Sequence, residues 1–492
     1  MMDPMRICHI TSELAPLAKV GGLADVLAAL PRELQELGHE VEVYLPLYRR
    51  VREGKLQLTP DPALQSIPLA LGRHVFEYSI VTARLPGSTL DVRLVDCPAL
   101  YDRPGIYGQD ADEHLRFLLL TRAAIECCQR SKWAPDVLHC HDWQTAMAPL
   151  FLKTLYAWDR LFEHTRTVLT IHNLGYQGTF GATILPDLSL GDAAHFLHQE
   201  DLRHGRIGFL KTGIAYADAL TTVSPTYARE IQGERLGMGL DGMLRQRESS
   251  LIGILNGVDT REWDPHTDRH LAARYSVKSL WRKEKNKERL LKSLGLPYTK
   301  GVPTIGIVSR LSAQKGIELL DPVIPELLAA RDLRFVALGS GEPRLEALVQ
   351  GIQARFPGRA CFYRGFSEEL AHQIEGGADL FLMPSLYEPC GLNQMYSMRY
   401  GTAPVVRATG GLADTVRTFD PRTGEGTGFV FEHFTAEGLR WALRLGLSVY
   451  DDPKAWRKLQ ANAIAVDFSW AHAAREYESL YRNMAIPAGA PQ

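Results

Sequence analysis

Several short stretches place charged side chains beside glycines where an apolar run gives way to a helical pattern. In "KVGGLADVLAALP", Lys19 precedes Gly21-Gly22 by two positions. Glycines at a strand-to-helix corner let the backbone approach a ligand and leave amide hydrogens pointing outward, and the helix N-terminus adds partial positive charge. Together these suit a phosphate. The same residues would also serve as a tight packing turn with a solvated lysine. The stretch is neither G-x-G-x-x-G nor G-x-x-x-x-G-K-[ST], so the dinucleotide and P-loop fingerprints are missing. "IGIVSRLSAQKGIELL" offers a second corner, with Arg310 and Lys315 on one loop. Both could reach a diphosphate, Arg310 as a fork and Lys315 as a point charge. They could equally be two surface charges. In "MPSLYEPCGLNQMYSMRYG" a strand ends at Ser385, and Glu388-Pro389-Cys390-Gly391 leads into a helix. A carboxylate there suits sugar hydroxyls, and the amides of Gly391, Leu392 and Asn393 suit an oxyanion. Cys390 has no catalytic dyad around it and reads as a small structural cysteine.

"DVLHCHDWQ" puts His139, Cys140, His141 and Asp142 at a strand end. H-x-H on a strand presents both imidazoles on one face, as in some metal sites. No further His/Asp cluster at metal spacing follows, so no metal is assigned. Asp142, at the loop, is the candidate functional residue. His172 in "LTIHNLGYQG" could contact a polar ligand, whereas His9 and His139 lie inside strands and read as core. Gly-Gly-Leu-Ala-Asp returns at Gly410–Asp414, as a second strand–Gly-Gly–helix corner.

Positioning these corners requires strands that alternate with helices. "RICHI", "EVEVYLP", "LDVRLVD", "PDVLHC", "TVLTIHN" and "DALTTVS" punctuate the first half, and "PTIGIVSR", "LRFVALG", "ACFYRGF", "DLFLMPS" and "APVVRA" the second. Near-continuous Val/Ile/Leu runs are expected of parallel strands buried on both faces. Alternation through both halves predicts an α/β protein of two doubly wound units, with ligands at the carboxyl ends of strands. The 492 residues suffice for two or three domains at ~150 residues each. The seam is expected between Gly253 and Pro303, and the charged "WRKEKNKERLLKSLG" as a solvated surface helix. "FSWAHAAREYESLYRNMA" reads as one amphipathic helix anchored by Trp470, Tyr477 and Tyr481, followed by a loose tail "IPAGAPQ". A net charge of −2 argues against a broad nucleic-acid-binding face. Seven cysteines without C-x-x-C fit a reducing cytoplasm better than a disulfide scaffold. Neither a signal peptide nor a membrane span is evident.

With these corners in view, the chain resembles the bacterial glycogen synthases, the ADP-glucose-dependent family that includes plant starch synthases. The resemblance runs over roughly residues 5–483 and rests on an ordered set of motifs. They are "SELAPLAKVGGLADV", "YDRPGIYG", "HCHDWQ", "TIHNLGYQG", "GILNGVD", "VSRLSAQKG", "GSGEPRLE", "GGADLFLMPSLYEPCGLNQM" and "RYGTAPVVRATGGLADTV". It implies two Rossmann-like domains facing a deep cleft, the GT-B glycosyltransferase architecture. The expected division is 1–255 on the glucan acceptor side, 256–466 on the ADP-glucose donor side, and 467–492 as a helix and tail packing back on the first domain. The implied reaction is retaining transfer of glucose from ADP-glucose to the non-reducing 4-OH of an α-1,4-glucan, with no metal or cofactor. By motif match, Arg310, Lys315, Glu388, His172 and Asp142 form the catalytic set. Lys19, Gly21, Gly22, Asn256, Phe366, Cys390, Gly391, Leu392 and Asn393 are assigned to the donor, with Phe366 against the adenine. Asp25, Tyr101 and Trp143 fall on the first-domain wall, on the acceptor side. Related families often carry a second glutamate where this chain has Tyr396, so the ribose needs another partner. Rival readings are a UDP-glucose transferase, a non-catalytic carbohydrate-binding protein, and a metal-dependent hydrolase built on "HCHD".

Overall fold

The computed structural model describes residues 3–485. Contacts divide it into two compact units: residues up to Val223 with Ala228–Gly257 and the chain from Trp470 onward, and Ser224–Tyr227 with Val258–Ser469. The first unit is built on a 10-stranded sheet. Its parallel part runs Leu251–Gly253, Ala219–Thr222, Arg166–Ile171, Val137–His141, Arg6–Ile10, Glu40–Pro46, Asp91–Asp96. Val137–His141 is buried at every position, as expected for a strand covered on both faces.

Beyond Asp91–Asp96 the sheet turns antiparallel, through His74–Arg84 and its partners Ile67–Leu71 and Thr59–Pro60. The parallel-strand reading of the sequence did not include this extension. Ile67–Leu71 alternates buried and exposed residues, the pattern of a sheet with one wet face.

The second unit carries a six-stranded parallel sheet in the order Ala360–Arg364, Arg334–Gly339, Thr304–Val308, Leu380–Met383, Ala403–Arg407, Phe429–Phe431. Each sheet has a switch point where the chain returns to the far side of its first strand. In the first unit it lies between Arg6–Ile10 and Val137–His141, and in the second between Thr304–Val308 and Leu380–Met383. Loops leaving such a strand pair diverge and open a crevice at the carboxyl ends. The corners named from sequence emerge there.

The charged helix Lys283–Ser293 corrects an expectation. Lys283 and Lys287 are buried rather than solvated. Lys283 Nζ donates to the carbonyls of Glu375 and Gly376 and to Thr402 Oγ1, and Lys287 Nζ pairs with Asp379 at 2.8 Å and Tyr450 OH at 2.9 Å. A buried ammonium is tolerated only with such partners. The last helix, Trp470–Ala485, buries Trp470, Tyr477 and Tyr481. It packs beside Gly22–Glu36 in the first unit, and Tyr481 OH bonds His139 Nδ1 at 2.7 Å. The tail Ile486–Gln492, expected to be loose, lies outside the described residues. Among the described residues no helix is long and apolar enough to cross a membrane.

Candidate functional site

In the second unit, the loops after Thr304–Val308 and Leu380–Met383 enclose a cavity of about 170 Å³. Arg310, Lys315, Ser385, Glu388, Gly391, Leu392 and Asn393 line it. Lys315 Nζ pairs with Glu388 Oε2 at 2.6 Å, and Ser385 Oγ donates to the same oxygen at 2.9 Å. Arg310 stands exposed at the rim. Asn393 opens a helix and its side-chain amide donates to the Val308 carbonyl at 2.9 Å, tying the two loops together. The space is smaller than the ~300–1,000 Å³ of a typical small-molecule site. It fits a phosphate-sized part of a ligand, with two cations on one side and a helix start on the other.

The loop carrying Glu388 is braced from behind by the second Gly-Gly-Leu-Ala-Asp. The Gly411 amide donates to the Glu388 and Pro389 carbonyls. Gly410 has φ +44°, and a methyl group there would overlap the Glu388 carbonyl oxygen. A methyl on Gly411 would overlap the Cys390 carbonyl. Cys390 is buried, and these glycines exist to let two backbones touch.

The first Gly-Gly corner differs. Glu13, just past the strand Arg6–Ile10, accepts from the Val20 amide at 2.6 Å and the Gly21 amide at 2.9 Å, both on Oε2. Its Oε1 accepts from Tyr107 OH at 2.6 Å. The expectation that the Gly21 amide waits open for a phosphate is therefore corrected: a carboxylate of the chain already holds it. Lys19 Nζ pairs with Asp25 Oδ1 at 2.6 Å on the partly exposed surface of the same corner. Gly22 begins the helix Gly22–Glu36.

Four imidazoles converge beneath that corner. His9 Nδ1 meets His141 Nε2 at 3.1 Å, and His141 Nδ1 meets His172 Nε2 at 3.0 Å. His139 bonds Tyr481 and Thr170 instead. Burial lowers His9 and His172 to about 3 and holds His139 and His141 well below the usual histidine range. A neutral imidazole has one N–H, so the run donates in one direction and His141 sets which nitrogen of His172 carries the proton. Asp142 adopts φ +54°, tolerated by Asp, and its Oδ1 accepts from the His172 amide at 2.7 Å and the Asn173 amide at 3.4 Å. Burial pushes the Asp142 carboxyl up to about 7, against the pull of those amides.

The starch synthase catalytic domain family matches residues 6–246, and the glycosyl transferases group 1 family matches residues 287–464. The chain is 46% identical to the glycogen synthase of Koribacter versatilis over 97% of its length and 98% of that protein. It is 44% identical to the glycogen synthase of Cellvibrio japonicus, over 97% of this chain and 99% of that one. The chain belongs to the glycogen synthase family. Among solved structures, the catalytic domain of starch synthase IV from Arabidopsis thaliana, bound to ADP and acarbose, matches with a TM-score of 0.91. That match has 35% identity and covers 98% of this chain and all of the other. The architecture is that of the two-domain GT-B glycosyltransferases, with a parallel sheet in each unit.

The remaining family-motif residues divide by burial. Phe366 is 77% exposed, between the strand Ala360–Arg364 and the helix Glu368–Gly377. Asn256 is buried, and its Oδ1 has no hydrogen-bond partner among the described residues. Trp143 packs edge-on against Phe117 and Phe180 and stays partly exposed. Tyr101 is corrected: it is fully buried, and its hydroxyl donates to the Arg116 carbonyl at 2.7 Å, so it is a packing residue behind the wall. Tyr396 stacks on Trp263 with ring centroids 3.9 Å apart. Glu13, Tyr107 and Ser385 were not singled out from sequence. A glutamate directly after the first strand and before Gly-Gly was the available signal for Glu13.

Proposed function

We propose that this glycogen synthase family member, a hexosyltransferase, moves glucose from ADP-glucose to the non-reducing 4-OH of an α-1,4-glucan with retention of configuration. The observation that carries the reading is the cavity where Arg310, Lys315 and Glu388 meet the helix start at Gly391–Asn393. Breaking a glycosyl–phosphate bond builds negative charge on the departing diphosphate and positive charge on the sugar. Fixed cations at the phosphate are then the largest available stabilisation. Glu388 orients Lys315 and leaves two of its three ammonium hydrogens for phosphate oxygens. The remaining carboxylate oxygen of Glu388 is assigned to a sugar hydroxyl.

ADP is a good leaving group, so no carboxylic acid need protonate it and no glycosidase-type nucleophile is required. A phosphate oxygen of ADP takes the acceptor proton during front-face attack. In this reading no metal or cofactor takes part in transfer. Residues 256–466 serve the donor, and residues 1–255 the glucan acceptor. His172, fixed in tautomer by His141, and Asp142 belong to the catalytic set. Asn256 offers its buried amide oxygen to the donor, Phe366 covers the adenine, and Asp25 and Trp143 face the acceptor. No disulfide is formed among the described residues, which favours a reducing, cytoplasmic setting.

The test is incorporation of labelled glucose from ADP-glucose into glycogen with EDTA present. Transfer that persists in EDTA supports the reading. Transfer only from UDP-glucose would favour the neighbouring donor class, and loss in chelator would favour metal chemistry.

A further inference from the structure

The second unit holds a cluster that no step of the transfer uses. His270, Glu368 and His372 each place a ligand atom within 4.8 Å of the others. Glu368 and His372 lie four residues apart on the helix Glu368–Gly377, so they share a face. His270 comes from the irregular segment before the helix Lys283–Ser293.

His372 is the fixed point. Its ring is buried and stacks on Trp263 with centroids 3.8 Å apart and planes 8° apart. Its Nδ1 meets Asp268 Oδ2 at 2.8 Å, and Tyr400 OH donates to the same oxygen at 2.6 Å. Asp268 Oδ1 accepts from the His270 amide at 2.8 Å, so one buried carboxylate organises both histidines. A carboxylate only accepts, so the His372 proton sits on Nδ1 and Nε2 carries a lone pair. That Nε2 is buried and has no hydrogen-bond partner among the described residues. A carboxylate behind a histidine whose far nitrogen is unused is the arrangement that orients metal-ligating imidazoles.

We propose that His270, Glu368 and His372 bind one divalent transition-metal ion, Zn²⁺ by its preference for two imidazoles and a carboxylate, as a clamp between the Asp268–His270 segment and the first turn of Glu368–Gly377. Tetrahedral zinc with ligands at ~2.0–2.1 Å needs ligand atoms about 3.3 Å apart. The set must therefore draw in, and there is room for that at two members: Glu368 is exposed and His270 half-exposed, while His372 is buried. Asp268 and Glu368 bring two negative charges to the ion, and because Arg269 Nε donates to His270 Nε2 at 3.3 Å, His270 binds through Nδ1 or the guanidinium turns away. The other imidazole trio, His9, His139 and His141, makes a poorer site. His139 and His141 have both nitrogens engaged, and all three rings are buried.

The experiment uses full-length, untagged protein stripped of metal by chelating resin. Zn²⁺ is titrated against a chromogenic chelator, Co²⁺ is followed by visible absorption, and bound metal is counted by mass spectrometry. The expected result is one ion per chain, a rise in melting temperature with Zn²⁺, and an affinity loss of at least ~tenfold in both His270→Ala and Glu368→Gln. Both side chains reach the surface, so these variants should fold. Failure of wild type to bind stoichiometric Zn²⁺ would overturn the proposal. So would binding and thermal shift that survive unchanged in both variants, since the ion would then lie elsewhere.

Discussion

Gly-Gly-Leu-Ala-Asp occurs twice, and the two copies do opposite work. At Gly410–Asp414 the glycines are the contact surface: one has positive φ, and both lie where a methyl group would strike the backbone of Glu388–Cys390. At Gly21–Asp25 the first glycine has φ −144°, and a methyl group on it would meet nothing within 4 Å. The second copy packs behind a functional loop. The first presents an open corner whose amides are held by Glu13 and whose lysine is held by Asp25. Identical sequence thus says only that a strand turns sharply into a helix. What stands opposite the corner decides whether its glycines serve packing or approach.

Breaking the packing copy should have the largest effect. Gly410→Ala forces overlap with the Glu388 carbonyl as well as a strained φ, and is expected to cost on the order of 3–5 kcal/mol. Urea unfolding should show a lowered midpoint, and transfer activity should be lost with the Glu388 loop. A variant as stable and active as wild type would remove the packing role.

Acid should separate the two copies next. The sheet beneath the first corner contains His9, His139, His141 and His172, all held below the ordinary value of 6.5. Groups depressed on folding contribute stability that is full above the unfolded value and lost as pH falls toward the folded one. At pH 5 each imidazole should cost about 2 kcal/mol. Asp142, raised to about 7, works in the opposite direction and offsets about one of the four. Hydrogen exchange at pH 5 against pH 7, corrected for intrinsic rates, should show Arg6–Ile10 and Val137–His141 losing protection before Thr304–Val308. Equal loss in all three strands would refute the assignment.

Gly21→Ala sharpens the contrast. Stability should change by less than about 0.5 kcal/mol, as for a surface substitution. The apparent KM for ADP-glucose should rise several-fold if the donor approaches this corner. Unchanged kinetics would mean that the open corner faces no ligand.

The smallest effect belongs to the base. Stacking on one aromatic is worth ~1–3 kcal/mol per base, and a purine covers more of the ring than a pyrimidine. Phe366→Ala should narrow the kcat/KM ratio of ADP-glucose over UDP-glucose. An unchanged ratio would take exposed Phe366 out of the base site.

Much of this was legible in sequence because it is local. Apolar runs of strand length, a cation or carboxylate at each run's end and a helical pattern after it locate the corners without knowledge of the sheet order. What was not legible depends on partners far along the chain. Glu13 meets Tyr107 across 94 positions. Lys287 looks solvated until the Asp379 carboxylate, buried beside it, supplies its counter-charge. Tyr101 sits in a motif that suggested the acceptor wall, but its hydroxyl turns inward to Arg116. The stack of His372, Trp263 and Tyr396 joins three segments with no shared pattern. Periodicity reports which face is buried, and it carries no information about what is buried against it.

The central claim is that the Arg310–Lys315 loop stabilises a departing diphosphate. The direct measurement is kcat for Lys315→Ala with ADP-glucose and a glucan, on protein shown to be folded by its unchanged urea midpoint. Loss of one fixed charge at the leaving group should lower kcat by ~10²–10³. A folded Lys315→Ala enzyme with near-normal kcat would contradict the account.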